Sequence, residues 1–237
     1  MSMGARSWPE MAYIVCAEEM EENWIAHVPD LPGCFTTHRD REVAITAVPS
    51  AVEGYVAWCR GHGLRVSGLA GPMVVSEVVR AWLYETDYEV NAFFASDRPP
   101  LGESEIPELE RLLRATRQDL NTAVDGLSAE DLDRTLAGER WPIRGVLEHV
   151  ANAEWWYLDR MGLAGASRDL PNDPLERLAA ARQHFLSQLR PLCERTGVVT
   201  LSGETWSSRK VVRRALWHER DHTEHIAKMR GKFWRAA

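Results

Sequence analysis

Cysteine is scarce in this chain: four in 237 residues, at Cys16, Cys34, Cys59 and Cys193, with no C-x-x-C pair. That excludes a disulfide-stapled scaffold and a cysteine zinc ribbon, and it suits a reducing cytoplasm. Long apolar runs are missing too. None approaches the roughly 18 residues of a membrane-spanning helix. Met1 to Glu10 lacks the charged-then-apolar layout of a signal peptide. The expectation is a cytoplasmic protein with no membrane partner. Lysine is rarer than cysteine, with three against 25 arginines. The net charge is −7, and residues 1–100 carry all of it, with 14 acids and 7 bases, while residues 101–237 hold 21 of each. A nucleic-acid binder shows a basic stripe. The one candidate, Arg209 to Arg235, is interrupted by acids, so no nucleic-acid partner is expected.

What is present divides in two. Tyr13 to Cys16 and Trp24 to Val28 are short strand-like runs, and the acidic Glu18 to Asn23 between them suits a hairpin turn. Pro29-Asp30-Leu31-Pro32-Gly33 is a loop. Asp40 to Gly61 has helical spacing, through Val43, Ala47, Ala51, Tyr55 and Trp58, interrupted by Pro49. Val74 to Leu83 and Val90 to Phe94 are strand-like again. The order β-β-α-β-β predicts a small α+β module with one helix on an antiparallel sheet.

Ser96 to Gly102 breaks regular structure, and the pattern after it is helical. Leu109, Leu112, Leu113, Thr116, Leu120 and Val124 share a stripe. Pro142 to Met161, Pro174 to Glu194 and Ser207 to Arg230 are further amphipathic segments. Four such segments predict an all-α four-helix bundle. The expected organisation is a flexible extension over 1–11, the α+β module over 12–96, a linker over 97–105 and the bundle over 106–237. Within the bundle, Trp141-Pro142-Ile143-Arg144-Gly145-Val146-Leu147 echoes Trp206-Ser207-Ser208-Arg209-Lys210-Val211-Val212, 65 residues on. Either chance and similar capping needs produce this, or the second and fourth helices occupy equivalent places in a pseudo-twofold bundle.

The fourth segment reads Trp217-His218-Glu219-Arg220-Asp221-His222-Thr223-Glu224-His225. On a helix His218, His222 and His225 fall within about 60° of one another. Histidines at i and i+4 can share a metal, and a third ligand from a facing helix would complete an open, catalytic type of site. His149 is the candidate. His27, His38, His62 and His184 stand alone and are given no role. His218-Glu219-Arg220-Asp221-His222 is also literally H-E-x-x-H, the zincin signature, in which the glutamate acts as base. The extended zincin pattern is absent, since His225 and Lys228 stand where it wants glycine and histidine. Only 15 residues follow His222 to supply a later ligand.

Residues 106 to 232 resemble the DinB-like superfamily of metal-binding four-helix bundles. The likeness rests on Trp141-Pro142-Ile143-Arg144-Gly145-Val146-Leu147-Glu148-His149-Val150 and on His218 to Ile226, with His225 where glutamine is common. It implies a metal site of His149, His218 and His222 holding zinc or nickel, with His225 a candidate fourth ligand. Several members transfer low-molecular-weight thiols to electrophiles. The resemblance therefore implies a metal-dependent thiol S-transferase acting with a thiol co-substrate on a small molecule. Residues 12 to 65 resemble the HicB antitoxin domain through Trp24 to Phe35, with its P-D-L-P-G core, and Asp40 to Ile45. That implies a dimerisation or regulatory module that binds a protein partner, and a homodimer. It supplies a second reading, a non-enzymatic stress-response module; a metallopeptidase is the third. Trp156, seven residues after His149, would wall the pocket. Glu148, Glu154 and Asp221 are candidates to orient the ring nitrogens.

Overall fold

The computed structural model describes residues 12–66, 71–85, 88–166 and 170–233. The expected extension over 1–11 lies outside them. The chain forms two compact units that divide between Ala92 and Phe93.

In the first unit β1 (Tyr13–Met20) and β2 (Asn23–His27) form a hairpin with Met20 opposite Asn23. Glu21 and Glu22 make its two-residue turn, both left-handed at φ 48° and 63°. That is the backbone of a type I′ turn, whose twist matches the strands. Glu18, read as part of the turn, lies inside β1 and is fully buried. Its Oε1 sits 2.8 Å from His27 Nε2, and its Oε2 accepts from the Ala92 amide at 2.9 Å. The 29–33 segment folds on itself, with the Leu31 amide donating to Val28 O and the Cys34 amide to Leu31 O. Gly33 there takes φ 88°, which favours glycine. Tyr55 Oη donates to Pro32 O at 2.7 Å and fastens the loop to the helix behind.

β3 (Phe35–His38) pairs antiparallel with β2. Four residues with no alternation left no sequence signal for it. Asp40 caps α1 (Arg41–Thr46), accepting from the Val43 amide at 3.0 Å. α2 (Val48–Gly61) carries Pro49 in its first turn, so the expected single helix is two. β4 (Met73–Val79) then pairs parallel with β1, giving the order β3-β2-β1-β4. The sheet is therefore mixed, not antiparallel as expected: the chain reaches β4 by a helical crossover, which parallel pairing requires. β5 (Trp82–Tyr84) and β6 (Tyr88–Val90) form a separate hairpin.

The second unit is mainly helical. Residues 97–105 belong to it. Asp97 closes a 3-10 turn and is buried, with both oxygens held by Arg213 at 2.9 Å. Glu105 takes a two-nitrogen bond from Arg209. The helices are α3 (Ile106–Val124), α4 (Ala129–Asp133), α5 (Ile143–Asp159), α6 (Pro174–Ser187), α7 (Leu189–Glu194) and α8 (Ser208–Phe233). The unit is not all-α, because β7 (Val199–Leu201) and β8 (Glu204–Trp206) form a hairpin before α8. α8, at 26 residues, packs on both α3 and α5, and α5 packs on α6. Leu120, Ile143, Leu147, Val150, Leu178 and Ile226 meet in the core between them.

The 65-residue echo extends well beyond the tryptophan motif. Thr135-Leu136-Ala137-Gly138-Glu139-Arg140-Trp141 and Thr200-Leu201-Ser202-Gly203-Glu204-Thr205-Trp206 share five of seven residues at that offset. Gly138 and Gly203 both turn the chain at positive φ, 82° and 73°. Leu113, Arg117 and Gln118 of α3 likewise correspond to Leu178, Arg182 and Gln183 of α6, and Glu154 of α5 to Glu219 of α8. Arg117 Nε donates to Glu219 and its Nη2 to Glu154, while Arg182 Nε donates to Glu154 and its Nη2 to Glu219. All four side chains are buried. Two hairpins of equivalent design thus interlock through a neutral four-charge lattice, as the pseudo-twofold reading of the echo requires.

Candidate metal centre

α5 and α8 lie side by side, so residues on their facing stripes meet. His149 on α5 and His218 and His222 on α8 bring their ring nitrogens together. His218 Nε2 lies 3.0 Å from His149 Nε2 and 3.1 Å from His222 Nε2. Three imidazoles do not pack nitrogen to nitrogen for their own sake: neutral rings can offer each other at most one proton per contact. The spacing does suit a shared cation. Ligand nitrogens 2.0–2.1 Å from a tetrahedral zinc stand about 3.3 Å apart. An all-imidazole donor set suits zinc, nickel, copper or iron rather than magnesium or calcium. The residues present therefore fit a transition-metal ion.

The electrostatics agree. His218 is held well below the ordinary imidazole range by burial first, and then by His222, His149 and Arg214. Burial, His149 and His225 push His222 down to about 3. Both rings are thus neutral with lone pairs available, which is what a ligand needs. His218 is buried, whereas His149 and His222 are partly exposed, so the trio opens on their side.

The flanking residues differ in part from the sequence expectation. His225 does not converge with the trio: its Nε2 is 2.7 Å from Glu139 Oε2, and Lys232 binds the other oxygen of that carboxylate. The hydrogen bonds of Lys232 and His225 hold the Glu139 carboxyl below its usual range. Glu154 sits in the arginine lattice rather than against a histidine ring. Glu148 is half-buried, one residue before His149, and its charge falls on Arg144. Asp221 is half-buried on α8. Trp156 packs its ring on Trp206, 5.1 Å between centroids, with Arg160 over it. The rings against the trio belong to other residues: Trp141 lies 5.0 Å from His149 and Tyr157 6.0 Å from His218. Trp141 was visible only as part of a motif. Nothing in the spacing pointed to Tyr157.

Glu219, the glutamate of H-E-x-x-H, is fully buried and accepts from Thr116, Arg117 and Arg182. Burial raises its proton affinity, but the two arginines and Thr116 outweigh that and hold the carboxyl below its usual range. Both oxygens are committed to this lattice, so it has none to offer a metal-bound water.

A family model described as the DinB superfamily matches residues 112–226. Over those residues the second unit is similar to the DinB superfamily, which is in general metal-binding. Neither a curated protein nor a solved structure gives a significant match. Among the described residues no helix is long and apolar enough to cross a membrane.

Proposed function

We propose that the second unit is a divalent-metal site with an open position, in which His149, His218 and His222 hold zinc or nickel, and that it serves a transferase acting with a low-molecular-weight thiol. The observation that supports this is the convergence of three imidazole nitrogens, those of His218 and His222 held neutral, inside the region similar to the DinB superfamily. When bound, the metal would lower the pKa of a thiol or water and supply the nucleophile. The chain's own residues do the rest. Three histidines leave a tetrahedral ion one place for substrate. Trp141 and Tyr157 place apolar ring surface beside His149 and His218. Arg214, whose charge already reaches His218, favours an anion at the metal. Glu219 takes no proton, which sets this reading apart from a metallopeptidase.

The first unit, in this reading, is a HicB-like module that docks a protein partner and supports a cytoplasmic homodimer. Its P-D-L-P-G loop, held by three internal hydrogen bonds and by Tyr55, presents Asp30 to solvent.

Elemental analysis of the untagged protein and of His149→Ala and His218→Ala tests the centre. About one zinc or nickel per chain, lost in both variants, is expected. Thiol-dependent turnover of a model electrophile such as 1-chloro-2,4-dinitrobenzene, abolished in His218→Ala, is the corresponding activity. A full metal complement in both variants would rule the site out.

A further inference from the structure

The metal trio belongs to α5 and α8. A separate cleft of about 790 Å3 opens between α3 and α6, and none of the trio lines it. Its base is the outer surface of the four-charge lattice, with Arg117 from α3 and Arg182 from α6 both reaching it. Arg114, one turn before Gln118, stands at its rim and is well exposed. Asn121 from α3 and Gln183 from α6 line its two sides with side-chain amides. Val124, Ala179 and Leu186 supply apolar wall, and Leu175 adds a side chain that is 43% exposed.

The donors decide what chemistry fits. A guanidinium has five N–H groups. Arg117 commits Nε to Glu219, one Nη2 hydrogen to Glu154 and one Nη1 hydrogen to Leu178 O. Each terminal nitrogen keeps a second hydrogen outside that lattice. Arg114 and the two side-chain amides add donors nearer solvent. Against them stands one acid in the lining, Asp125. A fork of fixed N–H groups under an amide-flanked rim matches a planar carboxylate, and the leucine-rich wall matches a short alkyl or aryl body behind it.

We infer that the α3–α6 cleft is a second ligand site, for a small monocarboxylate with an apolar tail. The lattice pre-sets the arginines, so binding orders few side chains, which favours affinity. Glu219, which follows His218 directly in α8, anchors both arginines, so the cleft is tied to the helix that carries two of the metal ligands.

Isothermal titration of the purified full chain with hexanoate tests this, with 1-hexanol as the uncharged control. One site per chain with a Kd below about 1 mM is expected, with hexanol at least tenfold weaker. Ala179→Trp, an exposed position that fills the cleft, should weaken hexanoate at least tenfold. Arg114→Gln, on the exposed face of α3, should weaken it about fivefold, and it keeps the test valid if the tryptophan variant fails to fold. No saturable binding, equal binding of hexanol, or unchanged affinity in both variants would overturn the proposal. So would binding that disappears in His218→Ala but survives Ala179→Trp, since the carboxylate would then be at the metal.

Discussion

Arg117 donates to the carbonyl of Leu178, four residues before Arg182, and Arg182 donates to the carbonyl of Leu113, four residues before Arg117. Each arginine thus closes the helix turn that precedes the other. The exchange holds atom by atom, through Nε, Nη1 and Nη2, across the 65-residue offset. Thr116 breaks it, because it bonds Glu219 whereas its counterpart Ala181 cannot bond Glu154.

This lattice is buried and neutral, so removing one member strands a charge. Arg182→Met should cost about 3–5 kcal/mol, the range for breaking a buried pair. Arg114→Met, which loses only an exposed pair with Glu110, should cost about 0.5 kcal/mol or less. Urea unfolding of the two variants checks the contrast, and equal midpoints would refute it.

Glu219→Gln separates structure from peptidase chemistry. It leaves Arg117 and Arg182 with one carboxylate between them, so it should lower the melting temperature as a lattice variant does. A glutamine variant of full stability, binding metal normally but losing peptide hydrolysis, would instead restore the zincin reading.

Acid should act on His218 and His222. Their folded pKa values lie below the roughly 6.5 of the unfolded chain, and His222 is near 3. The unfolded state therefore binds protons first as pH falls. The contribution of the neutral rings is complete above about pH 6.5 and is lost progressively toward about pH 3. Metal should leave over the upper part of that window, because protons compete for the same nitrogens. Melting temperature and bound zinc, followed from pH 7.5 to 4, should fall together; a shallower fall of melting temperature in His222→Ala would tie part of the effect to this ring.

Metal should also stabilise the second unit by mass action, about 2.7 kcal/mol at a free concentration 100 times Kd. A chelator should therefore lower its melting transition in the parent and leave it unmoved in His149→Ala.

The Glu21-Glu22 turn gives a test of the first unit. Both residues sit at positive φ, which side chains other than asparagine and glycine resist. Replacing the pair with Asn-Gly should raise stability by about 1 kcal/mol, read as a higher denaturant midpoint of the first unit.

Much of this was legible in the residues. Strand runs, the P-D-L-P-G loop and the four long apolar stripes follow from periodicity and turn chemistry, which are local. The i, i+4 histidines and the tryptophan motif were equally plain, because helical geometry alone puts His218 and His222 on one face. Less was legible where pairing is long-range. β3 was too short to signal, and a parallel β1–β4 ladder cannot be told from an antiparallel one strand at a time. Glu154 and Glu219 read as site residues because a carboxylate near a histidine looks like a partner. Only packing showed that arginines on α3 and α6, 28 positions or more away from each partner, claim those oxygens. His225 went to Glu139 for the same reason: a loop residue 86 positions away arrived within 2.7 Å. By itself the sequence determined the helices, the histidine face and the duplicated motif, since each depends on neighbours within a few turns. The tertiary structure alone decided which charges cancel and which nitrogens converge, because a buried group must find a partner wherever the fold brings one.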